Sequence, residues 1–110
     1  MKLKKGGLLK NLEEKIKASN EIKNNYEKQL KSYENWNAEL NYEYDISYNV
    51  FFENRYLSPN EFEKLDEYRQ RILDKIAMNN HNINVLKIRI KKQEEIHLLL
   101  VNCYYMINKC

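Results

Sequence analysis

Glycine and proline are almost missing from this chain, with two Gly and one Pro in 110 residues, and threonine is absent altogether. So little turn chemistry excludes a fold of many short elements. No stretch sustains the apolar/polar alternation of a half-buried strand, which leaves a sheet little to be built from. The only two cysteines, Cys103 and Cys110, are seven apart. On one helix that spacing puts them roughly 10 Å apart along the axis, beyond disulfide reach. Both read as free thiols, with Cys103 expected as buried core filler; an intermolecular disulfide through Cys110 would need an oxidising setting.

Chemistry is equally sparse. The two histidines, His81 and His97, are sixteen apart and stand at no metal-ligand spacing with Cys, Asp or His. His97 reads as a satisfied core histidine. Gly6-Gly7 is an isolated pair and not a phosphate-holding loop, while Glu13-Glu14 and Glu94-Glu95 read as solvated helix faces. No catalytic, cofactor-binding or metal-binding residue is assigned, and the expectation is a non-enzymatic protein without a cofactor. Behind Lys2, Lys4 and Lys5 there is no apolar run of signal-peptide length. The most apolar stretch, from Ile96 to Ile107, is interrupted by His97 and Asn102 and is too short to cross a bilayer, so no membrane partner is expected and the expected location is cytoplasmic.

What is present is helix-forming and charged: hydrophobic residues make up 43% and charged residues 32% of the chain. The lean toward Lys, Asn, Ile and Tyr, all with A/T-rich codons, hints at a low-GC bacterium, its phage or another mobile element. The one decisive stop is Leu57-Ser58-Pro59-Asn60-Glu61. Ser58 can cap a helix that opens at Pro59, with Glu61 completing a capping box. The residue before a proline disfavours the α conformation, which ends the preceding helix near Tyr56 or Leu57.

Heptads run on both sides of that stop. After it, Phe62, Arg69, Ile76, Ile83, Ile90, His97 and Tyr104 share one seam position, and Leu65, Ile72, Asn79, Leu86, Gln93, Leu100 and Ile107 share the other. Before it, the seam runs Leu9, Ile16, Lys23, Leu30, Asn37, Tyr44 and Phe51, with Leu12, Ser19, Tyr26, Tyr33, Leu40 and Ser47. The predicted fold is therefore all-α, a long antiparallel helical hairpin in which paired residue numbers total about 115. Residues 1–7 form a basic flexible N-terminal arm and 8–110 a single domain with its turn near 57–59. Asn-rich stretches at 35–41 and 78–84 leave a compact four-helix bundle as the alternative. Ile96, Leu98, Leu99, Leu100, Val101, Tyr104, Tyr105, Met106 and Ile107 are apolar around most of the helix. Either Leu3, Leu8, Leu9 and Leu12 wrap this end or it is a self-association surface, and a homodimer is expected.

The formal net charge of +3 hides a segregation. Residues 1–31 carry nine Lys against four Glu, 32–67 carry nine acids against Arg55 and Lys64, and 68–110 carry eight bases against three acids. Folded at Ser58, the chain becomes a rod with a negative tip and a positive base. The acidic segment is also rich in aromatic residues, some of them off the seam. Glu39, Tyr42, Glu43, Asp45, Tyr48, Phe52, Glu53 and Tyr56 are the expected partner-binding residues. They suit a protein partner with a basic, nucleic-acid-binding surface, as in an anti-defence inhibitor from a phage or mobile element. Two alternatives stand beside this one. In the first, Lys4, Lys5, Lys10, Lys23, Lys28, Lys87, Arg89, Lys91 and Lys92 bind nucleic acid without sequence preference, Lys23 and Lys28 lying across from the last four of these in the hairpin register. In the second the chain is a structural coiled-coil adaptor, similar in shape alone to the helical-hairpin stalk proteins of flagellar and type III export systems.

Overall fold

The chain in the computed structural model consists of two helices, α1 (Lys5–Glu53) and α2 (Pro59–Lys109), arranged as an antiparallel helical hairpin with no strand among the described residues. The structure describes residues 4–53 and 57–109, and the side chains of all of these except Phe51 and Phe52. Both helices run unbroken through the Asn-rich stretches, because neither stretch holds a Gly or Pro and the seam keeps its phase there. The hairpin therefore stands and the four-helix bundle does not.

At the start of α2 the cap forms as its sequence requires. The Glu61 N–H donates to Ser58 Oγ at 3.2 Å and the Phe62 N–H to the Ser58 carbonyl at 2.9 Å. One boundary differs from expectation. α1 begins at Lys5, with the Leu8 N–H donating to the Lys4 carbonyl at 3.0 Å, so Lys5, Gly6 and Gly7 are helical where an arm was expected. At its other end α1 is described to Glu53, and the expected stop at Tyr56 lies outside the described residues.

The chain divides into two compact units, one formed by 1–29 with 85–110 and the other by Leu30–Asn84. In the second unit the seam is well sealed. Leu40, Ile72 and Ile83 are buried, and with them the polar seam residues Asn37, Ser47 and Asn79. Asn37 Nδ2 donates to Asn80 Oδ1 at 2.9 Å, whereas Asn37 Oδ1 and Asn79 Nδ2 are buried without a partner. Arg69 occupies its seam position by lying over the Tyr44 and Tyr48 rings, at 4.8 and 5.1 Å from their centroids, and by donating to Tyr44 Oη at 3.0 Å.

Among the described residues of the first unit only Ser19 and Leu86 are buried, and the other seam residues are half-buried. A polar layer is satisfied here: Gln93 Nε2 donates to Ser19 Oγ at 2.7 Å. His97 is half-buried at the seam, but its Nδ1 is buried without a partner, so it is not the satisfied histidine expected. Cys103 is exposed and not core filler, because it falls one position before the seam residue Tyr104. Cys110 lies outside the described residues. In both units the bonded pairs, from Lys5–Asn108 to Glu43–Tyr68, have residue numbers totalling between 111 and 117, the register expected from the heptads.

Candidate functional site: the acidic stripe of the Leu30–Asn84 unit

Because α1 rises with 3.6 residues per turn, residues spaced alternately by three and four lie along one line of its surface. Trp36, Glu39, Glu43, Ile46, Val50 and Glu53 have that spacing and are all exposed, the three apolar members at 45%, 45% and 40%. Tyr42, 69% exposed, borders the same line. Acid and apolar side chains thus share one stripe beside the seam. At one end of it Trp36 joins Tyr33, Lys75, Met78, Asn79 and Asn82 around a groove of about 130 Å³. That volume admits one side chain and is far below the roughly 300 Å³ of a small-molecule site.

The eight residues expected to bind a partner do not form one surface. Glu39, Tyr42, Glu43 and Glu53 belong to the stripe just described. Asp45 and Tyr48 lie on the opposite flank of α1, since they fall one and four positions after the seam residue Tyr44 whereas Glu43 precedes it. Tyr48, moreover, holds the Arg69 guanidinium against its ring. The Phe52 side chain and all of Tyr56 lie outside what is described. Glu43 accepts a hydrogen bond from Tyr68 Oη at 2.7 Å, which holds its carboxylate on the stripe side and raises the Tyr68 pKa above its ordinary value near 10, chiefly through that bond. Reading by residue type gathered the acids and aromatics. It passed over Ile46 and Val50, whose four-residue spacing from Tyr42 was the signal for a second line beside the seam.

Among the candidate nucleic-acid contacts, Lys4, Lys5, Lys10, Lys28, Lys87, Arg89, Lys91 and Lys92 are exposed. Lys5 donates to the Asn108 carbonyl at 3.1 Å. Lys23 does not join the α2 bases: its ammonium, at a seam position, turns aside to Glu94 at 3.3 Å and Glu27 at 3.8 Å. Expected lysine-rich on both helices, this part of the surface is internally neutralised at Lys23.

No protein-family model, curated protein or solved structure matches the chain. Function therefore has to be argued from these side chains alone, and the shape likeness to export-system stalk proteins gains no support. Among the described residues there is no group of three or more His, Cys, Asp or Glu placed to hold a metal ion, and no helix is long and apolar enough to cross a membrane.

Proposed function

We propose that the chain is a protein-binding module whose acidic, apolar-studded α1 stripe docks on a basic surface of another protein. The observation that carries this reading is the mixture on one line: Trp36 precedes Glu39 and Glu43, and Ile46 and Val50 lie between Glu43 and Glu53, all of them exposed. A solvated helix face has no use for three such side chains on one line, whereas an interface needs a few aromatic and apolar anchors with charges to steer and orient the partner. The groove beside Trp36 and Met78 takes one anchoring side chain from that partner. A basic surface of this kind is typically one that holds phosphates, so the module acts as an inhibitor or regulator by occupying a nucleic-acid site, in keeping with a composition that leans toward Lys, Asn, Ile and Tyr as in a low-GC phage or mobile element.

The test uses the intact chain immobilised in an extract of a low-GC host. The wild type is expected to retain a protein that added DNA displaces. The triple reversal Glu39→Lys, Glu43→Lys and Glu53→Lys loses that protein at unchanged helical ellipticity, while Asp45→Lys, on the other flank, keeps it. Equal retention by the triple variant overturns the reading.

One observation favours a second reading. The unit formed by 1–29 with 85–110 carries thirteen Lys and Arg against six Glu, the balance of a surface that binds phosphates without sequence preference. A gel shift on duplex DNA that falls away between low and moderate salt, and that survives the triple reversal, would establish it.

A further inference from the structure

On α2, Ile96, Leu99, Cys103 and Met106 follow one another at spacings of three, four and three, the spacing of a coiled-coil seam. All four are exposed. Ile96 is 47%, Leu99 65% and Met106 70% exposed, and Cys103 is exposed as well. Leu8, Leu9 and Leu12, expected as a wrap for this end, are half-buried, the last two at seam positions, while Leu3 lies outside the described residues. Beside the strip runs an open groove between Ala18 and Ile22 of α1 and Ile96 and Leu100 of α2.

We propose that a second copy of this chain occupies the strip, its own strip laid antiparallel, to form a twofold dimer centred near Asn102. In this register Ile96 lies opposite the partner's Met106 and Leu99 opposite the partner's Cys103, so all four positions are filled. The partner's Met106 enters the groove between Ile22 and Ile96.

Charge selects this occupant and this direction. The outer border of the strip is Glu95, Asn102 and Lys109, seven residues apart and all exposed. Antiparallel pairing sets Glu95 against the partner's Lys109 on both sides of the dyad and brings the two Asn102 side chains together. Just before the strip the same line of α2 is basic, at Arg89 and Lys92. Parallel pairing would set Arg89 against Arg89 and Lys92 against Lys92. The antiparallel register moves the two Arg89 residues roughly 36 Å apart along the helix axes, several screening lengths of about 8 Å at physiological salt. The strip is small beside the ~800 Å² that each partner buries in a standard interface. Even with Ala18 and Ile22 added, the dimer is expected to have a Kd on the order of micromolar.

Sedimentation equilibrium on the intact chain across the micromolar range tests the proposal. The wild type converts from monomer to dimer mass. Leu99→Glu and Met106→Glu stay monomeric at unchanged ellipticity, which the fold tolerates because both side chains are already in solvent. Glu95→Lys alone weakens association about tenfold, and Glu95→Lys combined with Lys109→Glu restores it, a rescue that a parallel pair cannot give. In a Cys110→Ser background, alkylation of Cys103 slows as the dimer forms. A monomer throughout, a dimer that survives Leu99→Glu, or a double reversal that fails to restore association overturns the proposal.

Discussion

The two units spend their apolar residues differently. Leu30–Asn84 buries Leu40, Ile72 and Ile83 along its seam, with Asn37, Ser47 and Asn79 among them, and leaves Trp36, Tyr42, Ile46, Val50, Leu73 and Met78 exposed. Among its described residues the unit of 1–29 with 85–110 buries only Ser19 and Leu86, and it leaves Ile22, Ile88, Ile96, Leu98, Leu99, Tyr105 and Met106 exposed. Their charges differ in the same way, with thirteen bases against six acids in the second of these units and six against ten in Leu30–Asn84. A two-helix layer can cover one stripe of each helix and no more. In both units the apolar residues that go beyond that stripe are surface for another chain, on α1 in Leu30–Asn84 and on α2 in the unit of 1–29 with 85–110.

One matched pair of substitutions would break this contrast most directly. Leu40→Ala should cost about 3 kcal/mol of stability, the usual loss for a buried leucine truncated in place. Leu99→Ala, made at 65% exposure and measured at concentrations where the chain is monomeric, should change it by less than about 0.5 kcal/mol. Denaturant midpoints for the two variants check both numbers. Equal losses would mean that the units are packed alike.

A smaller effect of opposite sign is expected at Asn79. Asn79 Nδ2 and Asn37 Oδ1 are buried without partners, and an unsatisfied buried polar group costs about 1–3 kcal/mol. Asn79→Leu should therefore raise the midpoint by the equivalent of about 1–2 kcal/mol. It should also loosen the helix register, because a buried asparagine is the device by which a coiled coil fixes its alignment. Cysteine crosslinking between α1 and α2 positions would reveal the added registers. A lowered midpoint would show that Asn79 is satisfied after all.

The smallest expected effect separates the borders of the two units by pH. Tyr68 donates to Glu43 in one unit and Tyr104 to Glu13, at 2.9 Å, in the other; both phenols are raised above the ordinary value near 10, first by those hydrogen bonds. A raised folded-state pKa means a contribution fully present below the ordinary value and lost as the pH climbs through the raised one. Titration of tyrosinate absorbance should show a late component that Tyr68→Phe and Tyr104→Phe each reduce. If neither variant alters the curve, these two contacts do not persist in solution.

Much of this was legible in the residues. Every described seam position read from the heptads is buried or half-buried except Phe62, which sits in the first turn of α2 at 46% exposure. The cap at Ser58 forms, and the contacts keep the predicted register. Less legible was the site. Glu39 and Asp45 look equivalent in a list of acids, but helix geometry sends them to different flanks, and Arg69 takes Tyr48 for an internal contact. Lys23 looked like one more base and is paired with Glu94.

Periodicity and a capped proline are local properties. By themselves they determined two long helices, the stripe that each buries and the place where the second begins, because seam burial and backbone capping depend on residues close in sequence. Which side chains beside the seam remain available was decided only in the folded hairpin. That outcome depends on what the opposite helix happens to place across from each residue: a tyrosine for Glu43 and a glutamate for Lys23, while Leu99 stays 65% exposed.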